Sequence, residues 1–463
     1  VTWDVIVVGG GIAGLAAARE LEKAGRSVLV LEGSPEVGGK LKRADVAGHL
    51  VDVGAEAMLN RRPEGVDLAA EVGLEVEHPV LARSRVWTRG ELRPLPRSLM
   101  GVPQDTSALA ASGILTPAEM ERVLAEPGLP PLELADDEDV SVGELVDARF
   151  GHAVTDRLVE PLLGGVYAGH ARDISARAAV PQLIRMAKEG SLLEAGRAST
   201  DTTASTYQAP VFAGIPGGMG LLPERLAAGL TVRTGAMVRG LERGAVGGWR
   251  LLVGPASHPE WLEADAVVLA TPSHPAARLL ADVAPVASRR LDAMEAASVA
   301  VVTFAFRAQD VRALDEMDAS GFLVPPVDGH RIKASTWSFA KWGWVREAGA
   351  ADGLAFLRTS LGRHREEEAL QRSDEGLVAL SRMDLHTAVD LTAEPVATHV
   401  QRWGAGLPQY APGHLDAVAA VRADVAALPG LAVCGATYDG VGIPAVIASA
   451  QRAAREVLAP AGV

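Results

Sequence analysis

The first forty residues confine what this chain can become. Val5-Ile6-Val7-Val8, an apolar run of strand length, leads at once into Gly9-Gly10-Gly11-Ile12-Ala13-Gly14 and then into an Ala-rich helical pattern over residues 15–24. A second apolar run, Val28-Leu29-Val30-Leu31, ends on Glu32. The pattern reads as a strand, a GxGxxG turn, a helix and a second strand closed by an acid. Gly9 allows the tight turn, Gly11 lets backbone approach a pyrophosphate, and Gly14 lets helix and strand pack closely. The helix N-terminus, opened by Ile12 and Ala13, offers free N–H groups and a positive dipole end to phosphates. Glu32 stands eighteen residues past Gly14, where an acceptor for a ribose hydroxyl is expected. The stretch is a dinucleotide site.

The acid is followed by Gly33-Ser34-Pro35-Glu36-Val37-Gly38-Gly39-Lys40. A second glycine pair with a cation behind it makes a further anion-binding turn, a feature usual for FAD and not needed for NAD.

At 463 residues the chain predicts two or three domains, and a hydrophobic fraction of 48% is ordinary for a globular protein. A net charge of −14 argues against nucleic acid or an anionic membrane surface as partner. The single cysteine, Cys434, forms no disulfide within the chain and no cysteine metal cluster, so a reducing cytoplasm is the expected compartment. No signal-like segment precedes the first strand, and no apolar run approaches the length of a membrane span.

Along the chain, residues 50–54 read as a strand returning to the cofactor, residues 64–72 as a helix, and residues 86–92 as a hairpin turning at Arg89-Gly90. Three prolines stiffen residues 92–103 into an extended loop, and residues 104–200 are mostly helical in pattern. Ser141 with Glu144 matches a capping box behind the acidic run 136–139, which reads as a solvated flank. The Ser/Thr-rich residues 199–206 read as a flexible connection, residues 231–252 as two short strands, and residues 266–272 as a buried strand entering a turn. Residues 298–400 alternate as an antiparallel sheet does, with helices expected over 366–385. Residues 431–435 return to a buried strand before a glycine turn and a helix that opens on Pro444.

These distant pieces resemble the FAD-dependent oxidases of the amine oxidase and protoporphyrinogen oxidase group. The closer resemblance, to the porphyrinogen oxidases, rests on several stretches: Leu95-Pro96 through Met100-Gly101-Val102-Pro103, Ser141-Val142-Gly143-Glu144-Leu145 with Arg149-Phe150-Gly151, and residues 158–169 around Gly164-Gly165-Val166-Tyr167. It continues through Ser335-Thr336-Trp337, Arg402-Trp403 with residues 407–414, and Gly435-Ala436-Thr437-Tyr438-Asp439-Gly440-Val441-Gly442-Ile443-Pro444. It spans nearly the whole chain and is greatest to the soluble branch of Gram-positive bacteria, whose members oxidise coproporphyrinogen III.

The resemblance implies an α/β fold: a Rossmann-like FAD-binding domain from discontinuous segments (1–85, 205–297 and 400–463), a mainly helical insertion (86–204) and an α+β substrate-binding domain (298–399). It implies FAD as cofactor, a porphyrinogen as substrate and dioxygen as oxidant, with six electrons removed, hydrogen peroxide released and the next haem-pathway enzyme as a candidate partner. No catalytic side chain beyond the flavin and no metal is implied. Gly9, Gly11, Gly14, Glu32 and Gly33 are assigned to the ADP half, Gly39 and Lys40 to the pyrophosphate, and Gly54, Ala55, Glu56 and Ala57 to a segment passing the flavin. Val238 is assigned to adenine through its backbone, and Trp403, Val441, Gly442 and Ile443 to the flavin ring. Gly165, Tyr167, Gly321 and Leu323 map to the substrate cavity. Arg61, Arg62, Arg93, Arg97 and Lys341 are candidate partners for the four propionates of coproporphyrinogen. Where some porphyrinogen oxidases carry an arginine, this chain has Glu56, so a propionate anchor there is lost. Three other readings stay open: protoporphyrinogen as substrate, an amine oxidase with Tyr438 or Trp403 as an aromatic wall, and a flavin-bearing porphyrin carrier without turnover.

Overall fold

A computed structural model describes residues 2–198 and 210–459, and the expected flexible connection at 199–206 lies outside the described residues. Strand Trp3–Val8 pairs in parallel with Val28–Leu31 on one side and with Glu260–Leu269 on the other. Val232–Arg233 and Leu431–Val433 extend the parallel sheet at its two ends. Alternation along the strands fills both faces, as a sheet buried on both sides requires. Val5, Val7, Val28 and Val30 meet helices Ile12–Lys23, Leu221–Ala228 and Ile443–Leu458. Ile6, Val8, Leu29 and Leu31 meet helices Ser273–Leu280, Pro285–Asp292 and His414–Ala426. The first half of Glu260–Leu269 continues as an antiparallel meander with Trp249–Val253 and Val238–Arg243. The region read as two short strands therefore holds three, because the pair at Val232–Arg233 joins the parallel sheet separately.

The second sheet runs in the order Ala397–Pro408, Ala296–Arg307, Leu354–Leu361, Ile332–Thr336, Gly321–Leu323, Arg85–Thr88, Glu91–Pro94. This corrects two expected boundaries. Residues 86–94 belong to the substrate sheet and not to the helical insertion, because Arg85–Thr88 pairs in parallel with Gly321–Leu323. Residues 400–408 belong there too, since they pair with Ala296–Arg307. The hairpin turn falls at Arg89-Gly90 as expected, with φ of 55° and 76° at the two residues. The proline-rich loop after it contains a small ladder, Ser98–Leu99 with Val102–Pro103. The helices expected over 366–385 are a short 3-10 turn, Glu367–Gln371, and Asp374–Val389, where Ser373 supplies the N-cap.

Between the sheets lies a helical layer. Its helix Val142–Phe150 carries the expected capping box, Ser141 with Glu144. The acidic run in front is not simply solvated: Asp139 accepts from the Ser175 hydroxyl and from Gly413 N–H. At the layer's centre Glu126 is fully buried and takes hydrogen bonds from Arg149, the Ser191 hydroxyl and the N–H groups of Leu192 and Leu193. Removing one partner of a buried pair strands the other charge, so Glu126→Ala is expected to destabilise the chain by about 3–5 kcal/mol, read as a lowered urea midpoint at unchanged slope.

Candidate functional site

The glycine turn is built as its spacing predicts. Gly9 has φ +113°, and a Cβ there would stand 2.7 Å from Ala270 O; a Cβ on Gly14 would stand 1.8 Å from Gly9 O. Gly11 differs, since a Cβ there meets only Gly39 Cα at 3.9 Å. Its glycine is thus not demanded by the protein's own packing but leaves room above the turn. The second anion-binding turn is zipped to the first: Gly38 N–H donates to Gly10 O at 2.8 Å. Glu32 closes the other side, its carboxylate accepting from Gly10 N–H at 2.6 Å and Ser34 N–H at 2.7 Å.

Two helix N-termini open onto this groove. Ile12–Lys23 starts at Gly11 and Ile443–Leu458 at Gly442, and neither has a side-chain cap, so their first N–H groups stay available. The two helices pack side by side, and Gly442 has open space where a Cβ would be. Pro444 sits at the second helical position, one later than expected, and its missing N–H is equally harmless there. Lys40 is half-buried with no ion pair or side-chain hydrogen bond among the described residues, and desolvation holds its pKa below the ordinary lysine range. A desolvated cation without a partner beside two uncapped helix N-termini and an open Gly11 fits a dinucleotide diphosphate.

Val238 lies on the same side, because Ala236 N–H donates to Glu32 O and Gly235 N–H to Ser34 O. Met237, which the sequence did not single out, covers Gly33: a Cβ there would meet Met237 Cε at 2.8 Å. Past Lys40, Ala55 N–H donates to Lys40 O at 3.0 Å, and a Cβ on Gly54 would stand 3.2 Å from Trp403 Cζ2. Lys40, the segment 54–57 and Trp403 are therefore brought together although they are far apart in sequence.

Register places the substrate residues. Residues opposite one another in an antiparallel ladder share a face, as do alternate residues along a strand. Gly321 and Leu323 thereby share a face with Thr336 and Ala334, then Arg358 and Ser360, then Val299, Val301 and Thr303, then Trp403, Gln401 and His399. Leu323, Ala334, Thr336, Ser360, Val301 and Gln401 are only half-buried, so this face is left partly open and is the candidate floor of a cleft. Helix Glu160–Tyr167 crosses strands Ile332–Thr336 and Gly321–Leu323 and exposes Gly165 and Val166. A Cβ on Gly165 would meet nothing within 4 Å, whereas Gly321, at φ +137°, would put one 2.1 Å from Ser335 O. Gly165 thus leaves space, and Gly321 serves the strand pairing. Tyr167 is 6% exposed and tilts against Tyr410 with ring centroids 5.5 Å apart, so its ring faces the helical layer more than the cleft.

The cations sort by whether they already have partners. Glu56 is buried, and its carboxylate accepts from Trp342 Nε1 and the Ser338 hydroxyl at 2.5 and 2.8 Å while pairing with Arg358 at 3.0 Å and Lys341 at 3.4 Å. Burial pushes its pKa up, but the charges of Arg358 and Lys341 and the two hydrogen bonds outweigh this and hold it at about 2. Its carboxylate is committed, leaving only the backbone of Glu56 to face a cofactor. Lys341 is likewise committed and is withdrawn as a propionate partner. Arg62 pairs with Glu64 and Arg93 with Glu91, which removes them as well. Arg97 is exposed, without a side-chain partner among the described residues, on the short ladder whose Gly101 backs onto Leu158 and Val159. Arg61 is exposed but engaged in a contact of its own. Arg358 was missed in the sequence; it also donates to Gly54 O at 2.7 Å, and no local motif marks a strand arginine whose partner lies three hundred residues away. Tyr438 is fully buried in the core under the parallel sheet, so it forms no aromatic wall at the cleft. No group of side chains among the described residues is placed to hold a metal, and no helix among them is long and apolar enough to cross a membrane.

Two variants separate space kept for a ligand from space needed by the fold. Gly14→Ala clashes with Gly9 O and is expected to abolish both folding yield and FAD binding; Gly11→Ala is expected to keep the melting temperature of the flavin-free chain and to lose FAD affinity, measured by calorimetric titration. For Glu56, whose folded pKa of about 2 lies below its ordinary 4.5, the stabilisation is present above pH 4.5 and lost as pH falls toward 2. The stability gap between the natural chain and Glu56→Gln, taken from denaturant curves, is therefore expected to be largest near neutrality and to narrow below pH 4.5.

The family profile described as flavin containing amine oxidoreductase matches residues 12–458. A Mycobacterium leprae protein named coproporphyrinogen III oxidase is 38% identical over 456 residues, covering 96% of each chain. A Mycobacterium tuberculosis protein of the same name is 36% identical over 466 residues, covering 98% of this chain and 96% of that one. A crystal structure from Exiguobacterium, described as a candidate protoporphyrinogen oxidase, superposes with a TM-score of 0.84 at 30% identity, covering 98% of each chain.

Proposed function

The chain belongs to the flavin-containing amine oxidoreductases, and from that premise we propose that it oxidises coproporphyrinogen III to coproporphyrin III, with FAD as cofactor and dioxygen as electron acceptor. The observation that carries the substrate is the likeness, along nearly the whole chain, to proteins named coproporphyrinogen III oxidase. FAD, when bound, would supply the redox chemistry, a two-electron oxidation repeated three times for the six electrons removed, with dioxygen as acceptor and hydrogen peroxide as by-product.

The protein's own part is to bind, orient and exclude water. Glu32 keeps acceptor capacity for ribose hydroxyls, while Gly11 and Lys40 meet the diphosphate. The N-terminus of Ile443–Leu458 aims its free N–H groups along the groove, where they favour negative charge on the pyrimidine end of the ring. Trp403, half-buried beside Gly54, walls the groove from the cleft side. The cleft suits a flat apolar macrocycle: Gly165 gives backbone-close approach, and Val166, Leu323, Ala334 and Val301 supply apolar surface. Arg358 is neutralised by Glu56, which directs the ionised propionates outward toward exposed cations, with Arg97 as the candidate. The chemistry needs no side-chain nucleophile.

Protoporphyrinogen IX, with two propionates in place of four, is the rival substrate favoured by the Exiguobacterium structure's description. The amine oxidase reading loses its second aromatic wall with Tyr438 buried. Steady-state oxygen uptake on both porphyrinogens decides the matter. The expected outcome is a kcat/KM for coproporphyrinogen at least about tenfold above that for protoporphyrinogen, with Arg97→Ala lowering the former by a factor of roughly 2–5, the worth of an exposed charge pair. Equal constants, or flavin reduction by an amine and not by either porphyrinogen, sink the proposal.

A further inference from the structure

Tyr410 stands where the helical layer, the cleft helix and the flavin groove meet. Its ring is buried between Tyr167, at 5.5 Å between centroids, and His414, stacked at 3.9 Å. Its hydroxyl donates to Ala436 O at 2.5 Å and accepts from Gly440 N–H at 2.9 Å. Its main-chain oxygen accepts from Ser175 N–H at 2.7 Å, and the side chain of its neighbour Gln409 donates to Tyr167 O at 2.7 Å. Residues 409–410 thus grip the end of helix Glu160–Tyr167 with one hand and the loop 435–440 with the other.

That loop leads into Ile443–Leu458, the helix whose free N-terminus opens on the flavin groove. Gly435 and Gly440 sit at its ends with φ of +126° and +131°, conformations that tie down no side chain of their own. The Tyr410 hydroxyl spans the loop and satisfies one acceptor and one donor, and burial raises its pKa so that it keeps the proton it donates. At the other end, Tyr167 closes the same short helix whose Gly165 and Val166 are exposed to the cleft. Packed rings and paired hydrogen bonds form a continuous physical path between the two sites.

We propose that Tyr410 is a positioning residue that couples the macrocycle cleft to the flavin groove, so that a porphyrin bound against Gly165 and Val166 tightens the loop 435–440 and with it the hold on FAD. This rests on the porphyrinogen reading above. Coupling of this kind is reciprocal, so FAD tightens porphyrin binding by the same factor.

The test uses coproporphyrin III, the oxidised product, as a probe that does not turn over. FAD affinity of the full chain freed of flavin is measured by calorimetry with and without saturating coproporphyrin III, and the visible flavin band of the holoenzyme is followed in parallel. The natural chain is expected to bind FAD roughly fivefold or more tightly with the porphyrin present. Tyr410→Phe keeps the ring and removes both loop hydrogen bonds; its FAD affinity is expected to be the same with and without porphyrin, and its flavin band to stop responding to porphyrin. Tyr167→Leu attacks the path from the other end and decides the matter if Tyr410→Phe does not fold. It is expected to bind FAD as the natural chain does when porphyrin is absent and to lose the tightening. Full tightening retained in either folded variant overturns the proposal. Porphyrin that binds the natural chain, seen in its own absorption band, without tightening FAD overturns the coupling alone. A natural holoenzyme that does not bind coproporphyrin III overturns the substrate reading and the coupling together.

Discussion

A carboxylate buried away from water is tolerable only beside opposite charge and donors, and Glu56 sets that condition at the seam of this molecule. It sits on the segment that Ala55 N–H ties to Lys40 O, yet of the groups that satisfy it Arg358 comes from the second sheet and Ser338, Lys341 and Trp342 from the short helix Ser338–Lys341 that follows one of its strands and the residue after that helix. Neither half can keep its charges buried without the other. The pairing fixes where the sheet lies over the groove, and Arg358 reinforces it by reaching Gly54 O. Trp403 against Gly54, and the cleft floor opposite Gly165, follow from that docking.

The interior cations divide the labour of recognition. Arg358 and Lys341 are answered inside the protein, whereas Lys40 has no ion pair or side-chain hydrogen bond among the described residues. The groove side thus keeps an unanswered lysine, while the sheet face opposite Gly165 combines Leu323, Ala334 and Val301 with Thr336, Ser360, Gln401 and the neutralised Arg358.

What was legible is what is written locally. The glycine turn, the acid after the second strand, the Arg89-Gly90 hairpin and the Ser141 capping box all depend on residues within a few positions of one another. What failed were assignments that depend on a distant partner. An amphipathic strand such as Arg85–Thr88 or Ala397–Pro408 reads the same whichever sheet accepts it, and pairing alone gave both to the substrate sheet. Lys341 had the composition of a propionate ligand but the address of a Glu56 partner. The cleft residues Gly321 and Gly165 looked alike in sequence, yet one glycine serves a strand pairing and the other leaves open space.

The parallel sheet is laid down out of order. Trp3–Val8 gains its second neighbour only at residues 264–269, and that strand gains its own only at Leu431–Val433. Pairings of such separation carry a large loop-closure cost before they reward the chain. A nascent chain holding the complete glycine turn still lacks the strand and the second helix N-terminus that finish the groove. Flavin capture is thereby deferred until Ile443–Leu458 has been made, and a bound, coloured flavin serves as a certificate that this helix has docked.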